Sequence, residues 1–234
     1  SRIRADILAH VAPYEVVVID EAQQIPHIDI AAKMIVDAFP EKHLILTGSS
    51  SFDLAREAGE PLTGRHYVME MLPIGWEEIA GGDFDRSSSL EELLVYGAYP
   101  EVLLASDRIE KELKLKELIA SYLFKDILTL DRIKSPHLLL SILQALAWQI
   151  GNEVSLNELA RAVGESNHQK VGRYVELLEK TFVIRRVGAF STNPRKELRK
   201  PVKYYFYDLG VRNAVAERMG SLAARDGKEI GALW

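Results

Sequence analysis

Two adjacent carboxylates follow a short run of β-branched residues near the start of the chain. Asp20 and Glu21 come directly after the run VVVI at Val16–Ile19, which predicts a strand buried on both faces of a parallel sheet. A carboxylate fixed at the end of such a strand can hold Mg²⁺ through the water shell of the ion. The carboxylate beside it can act as a general base toward an attacking water molecule. Asp20 is therefore predicted to hold a metal ion and Glu21 to activate water.

Hydroxyl and guanidinium groups follow at the ends of the next predicted elements. A second apolar run, His43–Leu46, ends in Thr47 and Ser49. Ligands of open α/β sheets bind at the carboxyl ends of strands, so both hydroxyls are expected to contact a terminal phosphate or the attacking water. Arg65 precedes a third predicted strand at 66–72 and could stabilise charge on a phosphoryl group in transfer. Alone, each feature also fits a turn or a surface ion pair, and their order and spacing together favour a nucleotide site.

Three blocks of predicted secondary structure position these residues. The first is strand–helix–strand, with a helix over 28–39, and the second is helical from 89 to 130. The third predicts a winged helix, because three helices precede two strands that a basic loop separates. Ser155 is predicted to cap the second of these helices. The winged-helix elements are helices 136–150, 156–163 and 167–180, strands 182–184 and 203–207, and the loop 191–201.

The composition excludes several classes of protein. The chain has 234 residues, 47% of them hydrophobic and 27% charged, which is typical of a globular protein. It has no cysteine, which excludes a disulfide framework, a thiolate zinc site and a cysteine nucleophile. The longest apolar stretch, 138–148, is shorter than the ~20 residues that span a bilayer, and no hydrophobic signal segment opens the chain. We expect a cytoplasmic protein with no membrane partner.

Six ordered segments resemble successive motifs of one family. They are VVVIDEAQQIP, LILTGSSSFDLA, LTGRHYVMEMLPIGWEEI, YGAYPEVLL, YLFKDIL and PVKYYFYDLGVRNAV. The family they resemble is that of prokaryotic AAA+-superfamily ATPases with a winged helix and a C-terminal domain of unknown function. The resemblance implies an α/β P-loop-type core with an incomplete parallel sheet, then a helical region and a winged-helix domain. The implied domains are an ATPase core at 1–82, a helical lid-like region at 83–134, a winged helix at 135–210 and the start of a truncated C-terminal domain at 211–234.

The same resemblance implies roles for individual residues. Asp20 and Glu21 correspond to the Walker B motif, and Thr47 or Ser49 lies near sensor 1. Arg65 belongs to a Gly-Arg motif before the last core strand. The resemblance implies a parent protein, the complete ATPase of which this chain would be a part. That protein would use ATP and Mg²⁺, and would hydrolyse ATP to drive a conformational switch.

The sequence departs from the family at the phosphate-binding loop. No GxxxxGK[ST] motif is present, and the only Gly-Lys pair, Gly227-Lys228, lacks the glycine-rich turn and the hydroxyl residue. We therefore expect this chain to be a truncated ATPase that binds ATP weakly or not at all and does not hydrolyse it. In the family's strand order 51432, a missing first strand would expose two sheet edges and apolar faces. Self-association over the incomplete sheet is the expected consequence.

A non-catalytic DNA-binding or regulatory protein is the alternative. The net charge of the chain is −5, yet 161–203 holds eleven basic and four acidic residues, a local net charge of +7. Such segregation is typical of a module that contacts double-stranded DNA. The third helix of the winged helix, 167–180, would be the recognition helix. Residues near its start would read base edges: Asn167, Gln169, Lys170 and Arg173. Residues of the loop would lie along phosphates: Arg195, Lys196, Arg199 and Lys200. A role as a lid or protein-interaction module stays open.

Overall fold

The computed structural model describes residues 2–48, 64–81, 90–120, 135–188 and 202–233. The chain divides into two compact units, Ser1–Glu70 and Met71–Trp234. The first unit contains α1 (Arg2–Val11), β1 (Val16–Ile19), α2 (Ile28–Ala38) and β2 (His43–Leu46). The helices of the second unit are α3 (Trp76–Gly81), α4 (Leu90–Tyr96), α5 (Pro100–Leu103), α6 (Arg108–Leu118), α7 (Pro136–Trp148), α8 (Leu156–Ala162), α9 (His168–Lys180), α10 (Leu209–Val215) and α11 (Gly227–Leu233). Its strands are β3 (Glu153–Val154), β4 (Ile184–Val187) and β5 (Val202–Phe206).

The first unit is a strand–helix–strand arrangement, as the apolar patterns predict. β1 and β2 pair in parallel, with Ile19 opposite Leu46. Ala32 of α2 is buried, and Leu44 and Leu46 pack against it. Side chains alternate between the faces of a strand, so the other face carries Val18 and its neighbours, which are exposed. The expectation of a strand buried on both faces is wrong within the described residues, because α2 covers one face of the pair.

The prediction of a third strand at 66–72 is also wrong. These residues form no strand, and their apolar side chains are exposed, Tyr67 by 95% and Met71 by 100%. A strand needs a neighbouring strand to pair with its backbone N–H and C=O groups. Within the part of the chain that the structure describes, no strand pairs with this segment.

The second unit is built on one large apolar core. Helices α7, α8 and α9 pack together, and the short strands form an antiparallel sheet in the order β3-β5-β4. Ser155 Oγ accepts a hydrogen bond from the N–H of Glu158 at 3.2 Å, which confirms the predicted cap of α8. The predicted strand at 182–184 begins later, at Ile184, because Phe182 has a φ of 55° and turns the chain after α9.

Two of the sequence motifs, YGAYPEVLL and PVKYYFYDLGVRNAV, are in contact beside this core. Gly97 has a φ of 74°, and a Cβ atom there would lie 2.2 Å from Oδ1 of Asp208. A Cβ atom on Gly210 would lie 1.9 Å from the carbonyl oxygen of Tyr96. These glycines let the loop after α4 and the start of α10 approach closely. Residues 209–233 therefore share packing with the helices at 90–118, and the division of the chain into a core at 1–82 and three further domains over 83–234 stays a prediction.

The structure also bears on membrane association. Across the described ranges, no helix combines the length and the apolar character needed to cross a bilayer.

Candidate functional site

The two parallel strands bring Asp20 and Thr47 together. The backbone ladder continues past the strands, since the N–H of Thr47 donates to the carbonyl of Ile19 at 3.0 Å. The N–H of Ala22 in turn donates to the carbonyl of Thr47 at 2.9 Å. At this shared carboxyl edge, the Thr47 hydroxyl donates a hydrogen bond to Oδ1 of Asp20. The predicted metal carboxylate and the predicted sensor hydroxyl therefore form one cluster.

Glu21 joins this cluster through an unusual backbone conformation. Its φ of 48° and ψ of 44° lie in the left-handed region, which costs a non-glycine residue about 1 kcal/mol. In this conformation its N–H donates to Oγ1 of Thr47 at 3.3 Å. Its carboxylate accepts a hydrogen bond from Nε2 of Gln23 at 2.6 Å. Strain of this kind concentrates at functional sites, and here it brings the backbone N–H of Glu21 to the Thr47 hydroxyl that also bonds Asp20.

The charge of the cluster is negative. In the ranges that the structure describes, neither Asp20 nor Glu21 forms an ion pair with a lysine or arginine. The described residues contain no group of three or more His, Asp or Glu side chains that could hold a metal ion. Carboxylate and hydroxyl oxygens suit Mg²⁺ that keeps most of its water shell, so the cluster fits this ion as a partial ligand set. Among the residues that the structure describes, no lysine or arginine pairs with the carboxylates of this cluster.

Arg65 is not brought to this cluster. Its guanidinium pairs with the carboxylate of Asp37, in the last turn of α2. Because α2 returns from the carboxyl edge of β1 to the start of β2, this pair lies at the opposite edge of the strands. Both side chains are about half exposed. Ser49, the other predicted phosphate-contacting hydroxyl, lies outside the described residues.

The predicted recognition helix uses two of its four candidate residues internally. Oδ1 of Asn167 caps α9 by accepting hydrogen bonds from the N–H groups of Gln169 and Lys170, at 3.0 and 3.1 Å. Nζ of Lys170 pairs with Glu165 at 2.8 Å, which raises the pKa of the lysine and lowers that of the glutamate. Gln169 and Arg173 are exposed. Four candidate wing residues lie outside the described residues: Arg195, Lys196, Arg199 and Lys200.

Sequence reasoning missed Gln23 as the residue that positions Glu21. The only available signal was its place two residues after the carboxylate, which does not distinguish it from Gln24.

Sequence reasoning also missed a buried polar network in the second unit. There Nδ2 of Asn213 donates to the carbonyls of Leu94 and Val95, at 2.9 and 2.8 Å.

Comparison with known families agrees with the architecture of the first unit. Residues 3–80 match a family described as an AAA domain, which supports a relationship to the AAA superfamily and to nucleotide binding at the family level. A mixed α/β unit with a small parallel sheet is compatible with a P-loop-type core. Residues 87–221, more than half of the chain, match a family described as a domain of unknown function (DUF8612). The chain belongs to this family.

The chain is also similar to proteins from distant prokaryotes that are named only as uncharacterized. It is 26% identical over 236 residues to one from Mycobacterium tuberculosis, a match that covers all of this chain and 52% of the relative. It is 26% identical over 189 residues to one from Haemophilus influenzae, with 76% of this chain and 47% of the relative covered. A protein from Methanocaldococcus jannaschii is 28% identical over 193 residues, 74% of this chain and 42% of the relative. The chain thus spans about half the length of these relatives, and no solved structure matches it.

Proposed function

We propose that this chain carries the metal-binding and sensor half of a Mg²⁺-dependent ATPase core. The observation that carries the proposal is the hydrogen bond from Thr47 to Asp20 at the shared carboxyl edge of a parallel strand pair, with Glu21 beside it. The match of residues 3–80 to an AAA domain supports it. The parent activity would be ATP hydrolysis that drives a conformational switch in the cytoplasm.

Each residue of the cluster has a proposed role. Asp20 would hold the water shell of Mg²⁺, and Thr47 would fix the orientation of that carboxylate through its hydroxyl. Glu21, held by Gln23, would accept the proton of the attacking water. Bound Mg²⁺ would neutralise the charge of the phosphates. Arg65 would contact phosphates only after leaving its exposed pair with Asp37, a step that costs little because exposed ion pairs contribute about 0–1 kcal/mol.

We propose that this polypeptide alone is inactive. The backbone N–H groups, lysine and hydroxyl of a GxxxxGK[ST] loop provide most phosphate binding in such proteins, and the sequence contains no such loop. Isothermal titration with MgATP should therefore detect no micromolar binding, and phosphate release should equal that of buffer. Micromolar affinity that the variant Asp20→Asn abolishes would contradict this.

A second candidate function is double-stranded DNA binding by a winged-helix module. The observation that favours it is the element order α7-β3-α8-α9-β4-β5 with the sheet order β3-β5-β4, because a winged helix would also combine three helices with a small antiparallel sheet. Of the four candidate base-reading residues, Gln169 and Arg173 are exposed and without an internal role given above, so they could reach a groove. We expect Arg173→Gln to weaken duplex binding and to lower its log–log salt slope by ~0.9. Binding that salt does not affect would contradict this function.

We also propose that a second copy of the chain covers the open face of the two-stranded sheet. The support is the row of exposed apolar side chains on that face: Val16, Val18 and Ile45. Parallel strands are normally covered on both faces, so an exposed apolar face on this pair favours a partner there.

A further inference from the structure

The two faces of the three-stranded sheet carry different side chains. In the register of β4 and β5, Ile184 lies opposite Phe206, and both are buried in the core of the second unit. Successive residues of a strand point to opposite faces, so the next residue, Arg185, lies on the other face. We call this other face the outer face. Its residues are Glu153, Arg185, Val187, Lys203 and Tyr205.

The outer face is cationic, since two of these five residues are basic and one is acidic. Arg185 is exposed and Lys203 is partly exposed. In the described part of the chain, neither forms an ion pair. Glu153 is exposed and lies opposite Lys203 on β3, yet it does not pair with this lysine. Both positive charges are therefore available to an anionic ligand.

The helix side of the same region is closer to neutral. Segment 161–203 has a net charge of +7, but the helix α9 uses its neighbouring acidic residues in ion pairs, which are Lys170 with Glu165 at 2.8 Å and Lys180 with Glu176 at 2.7 Å. Burial raises the pKa of Glu179 on this helix, and the charge of Arg186, on the core face of β4, lowers it. Of the lysines and arginines of α9, Arg173 is the one that forms no ion pair among the described residues. The outer face thus carries two such cations, against one on the helix.

The spacing of the two cations suits the backbone of a nucleic acid. Lys203 lies two positions along β5 from the residue opposite Arg185. With a rise of ~3.4 Å per residue and ~4.8 Å between strands, the two Cα atoms are about 8 Å apart. Duplex DNA carries one phosphate charge per ~1.7 Å of its axis, so side chains at this separation can contact different phosphates.

We propose that the outer face of the sheet is the principal phosphate-contacting surface of this chain for double-stranded DNA. Arg185 and Lys203 each contact a phosphate, and Glu153 weakens the contact of its neighbour. Phosphate contacts fix the position of a protein on the duplex without reading its sequence. The proposal rests on the duplex binding proposed above, and it assigns more of the phosphate contacts to the sheet than to α9.

The proposal is tested by the salt dependence of duplex binding. The whole chain is titrated into a fluorescent duplex of 20 base pairs at several salt concentrations. Arg185→Gln and Lys203→Gln should each lower the log–log salt slope by ~0.9, and the double variant should lower it by ~1.8. The double variant should thus lose twice as much as Arg173→Gln. Lys116→Gln changes an exposed lysine of α6 and should bind like the original chain.

A substitution that improves binding separates a contact surface from a structural role. Glu153→Gln removes the acidic residue of the outer face and should tighten duplex binding at low salt. Urea unfolding should show that the variants keep the stability of the original chain, and the two single variants provide the test if the double variant is unstable. Weaker or unchanged binding by a folded Glu153→Gln variant would overturn the proposal.

The outcomes also distinguish this surface from duplex binding itself. A slope that falls in Arg173→Gln but not in Arg185→Gln or Lys203→Gln would overturn the proposal and leave duplex binding by α9 in place. Absence of salt-dependent binding by the original chain would contradict both. Equal affinity for poly-glutamate of the same total charge would overturn the choice of nucleic acid as the partner.

Discussion

The two units of the chain differ in how completely they bury their own apolar surface. In the first, α2 covers one face of the strand pair, while Val18 and Ile45 are 59% and 48% exposed. In the second, helices and strands enclose a continuous core in which Ile142 and Leu178 are fully buried. Parallel strands are normally covered on both faces. Within the described residues, the candidate nucleotide cluster therefore lies on a strand pair with one exposed face, whereas the second unit encloses most of its apolar side chains in a core.

The polar groups show the same contrast. Asp20 in the first unit is exposed, and among the described residues only Oδ1 of its carboxylate accepts a side-chain hydrogen bond, from Thr47. Asp208 in the second unit is buried, and its carboxylate accepts hydrogen bonds from the N–H groups of Ala98 and Val211, at 2.7 and 2.9 Å. The carboxylate of Asp208 thus joins two segments of the fold, while that of Asp20 stays exposed at the end of its strand.

The largest expected effect is at the contact between α4 and α10. Gly210→Ala should destabilise the second unit by more than about 4 kcal/mol, because the added Cβ would lie 1.9 Å from a backbone oxygen. Gly231→Ala is the matched control, since a Cβ at this helical position meets no atom within 4 Å and should be neutral or stabilising. Urea unfolding followed by circular dichroism measures both. Similar stabilities for the two variants would contradict the close approach.

Truncation of one isoleucine in each unit tests the difference in packing directly. Ile142→Ala should cost about 3 kcal/mol, because it leaves a cavity in a closed core. Ile45→Ala should cost less than about 1 kcal/mol, because nearly half of that side chain is already exposed. Denaturant unfolding of both variants gives the comparison. A larger loss for Ile45 than for Ile142 would show that the first unit is more tightly packed than described.

The patterns that the sequence predicts well are local ones. The strands Val16–Ile19 and His43–Leu46 follow from their apolar runs, and the start of α8 follows from Ser155, whose cap involves a residue three positions away. The site is predicted as far as Asp20, Glu21 and Thr47, because parallel strands end at a common edge.

Contacts between distant residues could not be predicted in this way. The pairing of Arg65 with Asp37 joins residues 28 positions apart, and no local pattern encodes it. The segment 66–72 has the composition of a strand, but a strand also depends on a partner that composition does not reveal. The left-handed backbone conformation at Phe182, after which β4 begins at Ile184, could not be predicted either, because phenylalanine rarely adopts a positive φ.

The free energy of unfolding of the second unit should depend on pH through the buried carboxylate of Asp208. Burial raises the pKa of Asp208 to about 6, above its ordinary value of 3.8. The folded state therefore holds this proton more tightly than the unfolded state, and its contribution to stability is full below pH 4 and lost as the pH rises through about 6.

The variant Asp208→Asn lacks this titration. The free energy of unfolding of the original chain minus that of the variant should fall between pH 4 and pH 7, by at most about 3 kcal/mol. Urea unfolding of both proteins at four pH values measures this difference. A difference that is constant or rises with pH would contradict the assignment to Asp208.

The smallest expected effect on stability is on the open face of the first unit. Val18→Asp should change the free energy of unfolding by less than about 0.5 kcal/mol, because the side chain is largely exposed. It should nevertheless reduce self-association in light scattering at high protein concentration, since it puts a charge on the proposed interface. A strictly monomeric original chain would contradict self-association over this face.

The most direct test of the nucleotide cluster uses Mn²⁺–ATP at millimolar concentration, because a paramagnetic ion reveals weak binding by broadening nearby NMR signals. We predict selective broadening of the amide resonances of Asp20, Glu21 and Thr47, and its disappearance in Asp20→Asn. Unchanged resonances at these three positions, or equal broadening in the variant, would contradict a half-site for a metal–nucleotide complex.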